Sequence, residues 1–455
     1  MNSSFIYPND FLKKIKTSWE KSKFSEVDRV PALPEPRILR KLLDICYHAS
    51  FKTEENRRIK FQVAFCEKTI IADEYKEDIP SKIHSIEFNK PREFNVKELL
   101  RLAPATDPSS VIIGVSSDRV KEGDLIIWGL IHVGSSWSKL LRYESMYGIP
   151  HPNVLTITSN EPGELSISRR GIIILDLRHG TVYNPIDILI QSGPIMDFFE
   201  NGKSQLYREI CDRLKVKQYS RKISERIFPI EMYINYLEDI LYNIQKQGHG
   251  GTLIIIPDSV KLDSSIIKNQ LSIKYPCIHS KGWDYLLEYL ELAYLKANIE
   301  KALSKPKIKK PKKLYSLNEE LNDQIVQWND AIKDSTKFLA SLAGVDGAVL
   351  ITDRLKLIGF GVEIKTKVSN LKKVRVAKDS SGEIKTEISI EEFGTRHRSA
   401  FRFCAKNEDS IIFVFSQDGG ITAVKQNESK LVTWPNINTT SIALHRNTLI
   451  NNTAL

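Results

Sequence analysis

Three short, unbroken apolar runs constrain this chain more than any other feature: Leu253-Ile-Ile-Ile256, Ala348-Val-Leu-Ile351 and Ile411-Ile-Phe-Val-Phe415. Each is rich in β-branched or aromatic side chains, lies within two residues of a Gly, Pro, Asp or Ser at either end, and is too short to be a helix. Such runs read as buried strands, which need apolar helices to cover them. Suitable helices lie nearby. Met232 to Gln245 is amphipathic, Trp283 to Leu303 carries a Leu and Tyr stripe suited to a sheet, and Leu317 to Leu342 reads as a third helix. The expected class is α/β, with a mixed sheet and flanking helices toward the C-terminus.

The first half reads differently. Pro31-Ala-Leu-Pro-Glu-Pro36 separates an N-terminal arm from a helix at Arg37 to Tyr47, with Leu39, Leu42, Leu43 and Cys46 on one stripe. From Lys60 to Gly180 most segments look like strands, including Phe61–Phe65, Ser110–Gly114, Asp124–Trp128 and Gly171–Leu175. That predicts a sheet-rich α+β region. At 455 residues the chain exceeds one ordinary core. The expected division is an arm at 1–36, a sheet-rich domain at 37–193 and its α/β continuation at 194–300. A linker at 301–315, a second α/β domain at 316–440 and a tail at 441–455 follow.

Composition removes several function classes. Apolar residues make up 41% and charged residues 27%, as in soluble globular proteins. No apolar run approaches the ~20 residues that span a bilayer, and Met1 to Lys23 has no signal-peptide core. A cytoplasmic location without a membrane partner is therefore expected. Cys46, Cys66, Cys211, Cys277 and Cys404 are scattered and odd in number, so they read as buried reduced thiols. Much of the net charge of +10 lies in Lys301 to Lys313, which holds seven lysines and no acid. Pro306 and Pro311 interrupt it, so it reads as a solvated linker. A nucleic-acid partner, the alternative for such a run, has no supporting motif. His48, His132 and His249 adjoin apolar segments and read as core residues. A helix precedes both His249-Gly250-Gly251-Thr252 and Asp346-Gly347-Ala348, but helix–turn–strand units are common and the echo is given no function.

Three pieces near the C-terminus carry chemistry. Asp346-Gly347-Ala348 places an acid at the mouth of a buried strand, where it can bind a divalent metal or help remove a hydroxyl proton. Gly394-Thr-Arg-His-Arg-Ser-Ala400 precedes a helix. There Thr395 can act as the cap, and Arg396 and Arg398 beside the helix start make an anion site. Ser416 and Asp418 follow the strand Ile411–Phe415, at the rim where α/β sheets bind ligands.

Together these pieces resemble the diadenylate cyclase domain, whose signatures are an Asp-Gly-Ala motif and a Gly-Thr-Arg-His-Arg-x-Ala motif. Both stand intact and in order within roughly residues 320 to 440. The preceding chain resembles the DACNV type of sensor placed ahead of such domains. The resemblance implies that two ATP molecules are joined into cyclic di-AMP with release of two pyrophosphates. It implies Asp346, Arg396, His397 and Arg398 as catalytic residues and Gly347, Ala348, Val362, Ile364, Thr395, Ser416 and Asp418 as nucleotide contacts. Asp346 and Asp418 would hold Mg²⁺ or Mn²⁺. It also implies homo-oligomers with face-to-face cyclase domains, and a separate ligand for the sensor region.

The chain departs from the family in two places. Gln417 and Asp418 stand where many members carry two glutamates, which keeps open a catalytically silent domain that only binds nucleotide. An apparent inserted hairpin, Lys365 to Glu387, centres on Asp379-Ser-Ser-Gly382 and reads as surface decoration.

Overall fold

The computed structural model describes residues 8–22, 29–54, 57–74, 83–118, 120–141, 148–178, 180–186, 192–216, 229–261, 264–278, 280–304, 311–368, 370–417 and 419–439. The chain forms two compact units, the first running to Pro185 and the second from Ile186 to Ile442.

The first unit opens with α1 (Pro8–Glu20) and α2 (Pro36–Ser50). It continues through β1 (Phe61–Phe65), α3 (Lys68–Glu74), β2 (His84–Glu93), α4 (Val96–Leu102), β3 (Val111–Ser117), β4 (Leu125–His132) and α5 (Ser136–Leu141). β5 (Leu155–Ser159), β6 (Leu165–Arg169), β7 (Ile172–Arg178) and β8 (Thr181–Tyr183) complete it. These eight strands form one sheet in the order β8-β7-β6-β5-β1-β3-β4-β2, and Thr53–Glu54 pairs separately with Arg57–Arg58. The expected arm is part of this unit. Phe11, Ile15 and Trp19 of α1 lie in one core with Leu39, Leu42 and Leu43 of α2, and Trp19 Nε1 donates to the Pro31 carbonyl at 2.7 Å. The proline segment is thus held against α1 and does not separate it from the rest of the unit.

The second unit begins with α6 (Pro194–Arg213) and α7 (Pro229–Lys246), then β9 (Gly251–Ile256), α8 (Ser265–Gln270) and β10 (Leu271–Pro276). Two long helices, α9 (Gly282–Ser304) and α10 (Lys312–Ser341), lead to β11 (Ala348–Thr352) and β12 (Leu357–Ile364). After β13 (Lys373–Ala377) and β14 (Ile384–Ser389) come α11 (Thr395–Cys404), β15 (Ile411–Phe415), β16 (Ile421–Asn427) and β17 (Lys430–Pro435). The nine strands are ordered β10-β12-β11-β9-β15-β16-β17-β13-β14.

This order redraws the expected boundaries. β9, placed by sequence in a sensor continuation, is central to the second sheet, buried at every position and paired with β11 and β15. Its side chains alternate. Leu253 and Ile255 join Leu237, Leu241, Leu286 and Leu339 on one face, while Ile254 and Ile256 join Leu350, Phe401 and Phe403 on the other. Helices α6, α7, α9 and α10 cover the first face and α11 the second, giving three layers. Residues 305–310 of the lysine run lie outside the described residues, as does the expected tail at 441–455. The two helices flanking that run pack within one core, so it is a connection inside the unit. The hairpin read as decoration also belongs to the sheet. β13 pairs in parallel with β17, and the Ser380 carbonyl lies against Gly193.

The cysteines are free, with four of them buried, and burial pushes the Cys404 thiol up to about 12. No helix of the described residues is long and apolar enough to cross a membrane.

Two outcomes follow from this packing. A fragment of residues 316–455 lacks β9 and three covering helices, so it should show no cooperative thermal unfolding, whereas residues 186–442 should show one. The second concerns Asp239 of α7, which accepts from the Thr336 hydroxyl and from Asn243 Nδ2 at 2.8 Å. Burial pushes its carboxyl from 3.8 up to about 6. The folded state then holds this proton more tightly than the unfolded state, so stability falls as pH rises between those values. Asp239→Asn should stabilise the protein at pH 7.5 by up to ~3 kcal/mol, with the gain vanishing near pH 4. Urea denaturation at the two pH values reads the difference.

Candidate functional site

Strand direction gathers the three chemical pieces. β9 and β11 are parallel, while β15 is antiparallel to β9 and β12 to β11. The starts of β9 and β11 therefore share one sheet edge with the ends of β12 and β15. Asp346 and Gly347 lead into β11, Gly250 into β9, and Ser416 follows β15, on three adjacent strands. With neighbouring strands ~4.8 Å apart, this edge is about the width of a nucleotide's phosphate chain.

Asp346 is exposed at the tip of its turn. Gly347 behind it has a φ of +113°, and a Cβ there would lie 2.6 Å from the Gly361 carbonyl carbon and 2.8 Å from the Val362 nitrogen. The turn therefore needs a glycine, because β12 passes directly beneath it. Ala348 is buried as the first strand residue.

The second piece sits at the start of α11. Gly394, not Thr395, is the N-cap, and Arg398 N donates to its carbonyl at 3.1 Å. Thr395 is the first helical residue, so its backbone N–H, not its hydroxyl, points out of the helix start. The sequence reading of a threonine cap is corrected in this respect. Thr395 and Arg396 are exposed, while His397 and Arg398 are half-buried. Arg398 Nη1 meets Glu391 Oε2 at 2.7 Å. The His397 ring lies 5.6 Å from Phe393 and 6.2 Å from Phe401, so it also packs in an aromatic group beneath the helix.

Ser416 is half-buried in a closed turn, its N–H donating to the Gly420 carbonyl at 2.9 Å. Asp418 lies outside the described residues; Gln417 is exposed. Val362 is 2% exposed within the core under α11, so its side chain faces that core and not the open edge. Ile364, at the end of β12, is half-buried. Among the described residues no group of three or more His, Cys, Asp or Glu converges as a metal site.

Sequence reasoning missed the segment that braces these loops. Gln245 Nε2 donates to the Gly419 carbonyl at 2.6 Å and Gln247 Nε2 to the Ala340 carbonyl at 2.8 Å. His249, read as a core residue, is exposed, as is His48. The signal was the echo between the two helix–turn–strand segments, whose strands now prove to be parallel neighbours with Leu253 beside Val349.

The Gly347 turn yields a direct test. Gly347→Ala should cost roughly 2–4 kcal/mol through strain and collision with β12. Gly344→Ala, whose Cβ would meet nothing nearer than Gln247 Oε1 at 3.6 Å, should stay within about 1 kcal/mol of the parent. Equal losses in urea denaturation would contradict this account of the turn.

Residues 28–132 match the family described as "Probable sensor domain DACNV". No curated protein matches the chain. Among solved structures, the crystal structure of DacA from Staphylococcus aureus, a double mutant, is similar to 49% of this chain and 95% of its own at 14% identity. The TM-score is 0.22, too low to establish a shared fold.

Proposed function

We propose that this chain is a diadenylate cyclase that condenses two ATP molecules into cyclic di-AMP, and that its first unit acts as the sensor. One observation carries the reading. The Asp-Gly-Ala turn and the start of the Arg-His-Arg helix meet the sheet at one edge, with Asp346 and Arg396 both exposed and without an ion-pair partner among the described residues. An acid and a guanidinium left open to solvent beside a helix N-terminus suit a ligand that carries both phosphates and a hydroxyl. The match of residues 28–132 to a sensor family supports the regulatory half of the reading.

The reaction forms two identical bonds. In each, a ribose 3′-hydroxyl oxygen attacks the α-phosphorus of the other nucleotide, the bond to the β-phosphate oxygen breaks, and the hydroxyl proton is lost. Asp346 is the group we assign to orient that hydroxyl and accept its proton. Arg396, Arg398, the N–H groups at the helix start and the Ser416 hydroxyl would hold the phosphate oxygens, supplying charge as pyrophosphate leaves. For Arg398 this requires exchanging Glu391 for a phosphate. Ile364 is the apolar side chain at the edge that could lie against adenine. His397 would hold the helix start in place through Phe393 and Phe401.

A divalent cation, Mg²⁺ or Mn²⁺, would neutralise phosphate charge when bound. The residues fit such an ion, because a hard cation of this class needs only one or two carboxylates when phosphates complete its shell. Asp346 would provide one carboxylate and Asp418 another. The product has twofold symmetry, so two copies of the edge must face each other, and activity should require a homo-oligomer. Holding both nucleotides in attack geometry would supply much of the acceleration.

The test is mass spectrometry of the full chain incubated with ATP and either metal. The parent should form a product of the mass of cyclic di-AMP, Asp346→Asn should form none, and Arg396→Ala should lose about 10²-fold or more in rate. Specific activity should also fall on dilution below the concentration at which the protein is dimeric. ATP binding by calorimetry without product, at several protein concentrations, would replace this reading with a silent nucleotide-binding domain, which Gln417 in place of an acid favours. Absence of both would sink the two together.

A further inference from the structure

The turn entering β9 carries no residue of the three motifs, yet it adjoins the loops of all three. Gln245 and Gln247 brace the Ser416 turn and the end of α10 before the Asp346 turn. The third contact is with Arg396. A Cβ built on Gly250 would lie 3.1 Å from Arg396 Nη1, 3.7 Å from its Cζ and 2.9 Å from the Phe415 carbonyl oxygen. The guanidinium therefore lies directly over the Gly250 backbone, in space that any side chain at that position would enter. Gly250 also has a φ of +66°, which favours glycine for conformational reasons alone.

Gly248, two residues earlier, separates these two effects. It has a φ of +73°, but a Cβ there would meet nothing within 4 Å. Alanine at either position therefore carries a similar backbone penalty, while only alanine at 250 would crowd the guanidinium.

We propose that Gly250 is a positioning residue that seats Arg396, which makes the turn before β9 a fourth part of the phosphate site. This rests on the reading of Arg396 as a phosphate ligand. An exposed arginine on a short helix has many rotamers, and orienting its planar fork for bidentate contact requires a surface behind it. The backbone at Gly250 is that surface, backed by the Phe415 carbonyl. It is fixed to the fold because Gly251 pairs with Phe415 at the first register position of β9. A phosphate approaching the edge from solvent would meet the guanidinium already held against the sheet.

The experiment is titration of the full-length protein with ATP and Mg²⁺ by calorimetry. Gly248→Ala should bind within about twofold of the parent, and Gly250→Ala about tenfold or more weaker, as for loss of one charge-assisted contact. In an Arg396→Ala background, Gly250→Ala should cause no further loss. Equal affinities for the two glycine variants, or a full loss in the absence of Arg396, would overturn the seat while leaving the function standing. A parent that binds no ATP would instead overturn the functional reading beneath it. If Gly250→Ala does not fold, ¹⁵N-glycine labelling of the otherwise native chain decides: Arg396→Ala should shift the Gly250 amide and leave that of Gly248 in place. An unmoved Gly250 signal would overturn the proposal.

Discussion

Burial of β9 on both faces is the constraint from which the second unit follows. A strand that exposes no side chain needs apolar neighbours on either side and apolar layers above and below. Ile254 and Ile256 call for α11 on one face, and Leu253 and Ile255 for α7, α9 and α10 on the other. Its two partners run in opposite senses, β11 parallel and β15 antiparallel. That combination places the start of one neighbour and the end of the other at the same edge. The chemistry is therefore assembled by strand direction, from segments that are far apart in the chain.

The unit distributes charge differently between this edge and its interior. Asp353 is 2% exposed and fully engaged, accepting from Asp258 N at 2.8 Å and Asn201 Nδ2 at 3.0 Å. A buried charge without such partners would cost several kcal/mol. At the edge, water solvates Asp346 and Arg396, so leaving them unpaired costs little. Arg398 lies between these cases, half-buried and joined to a highly exposed Glu391. An exposed pair of this kind is worth at most about 1 kcal/mol, so a polyanion can displace the glutamate at small cost.

Local pattern made the elements legible and non-local pairing hid their grouping. The strand at Ile411–Phe415 and the helix of α7 follow from short-range periodicity, and both stand where the sequence put them. The two motifs were visible because their residues are contiguous. The grouping of β9 was not, because its partners lie roughly a hundred or more residues later and a lysine- and proline-rich run intervenes. That run looks like a domain linker by every local criterion, yet it joins two helices of one core. Val362 and Ile364, which the resemblance offered as adenine contacts, differ for another reason: α11 covers the sheet face at 362 and leaves it more open only at the strand's end. The Thr395 cap failed by a single residue, since glycine is itself an acceptable N-cap.

The braces around the edge give α7 a mechanical position that no motif residue has. Its last turn supplies Gln245 to the Gly419 carbonyl, the next residue but one supplies Gln247 to the Ala340 carbonyl, and Gly250 lies under Arg396. Nearly two turns earlier Asp239 accepts from Thr336, tying α7 to α10 ten residues before Asp346. A small shift of α7 along its axis would therefore displace the Ser416 turn and the end of α10 together, and move the Gly250 backbone beneath Arg396. Packed helices change position in discrete steps, because their cores do not deform continuously. The end of α7 and the loops it braces would therefore shift as one unit.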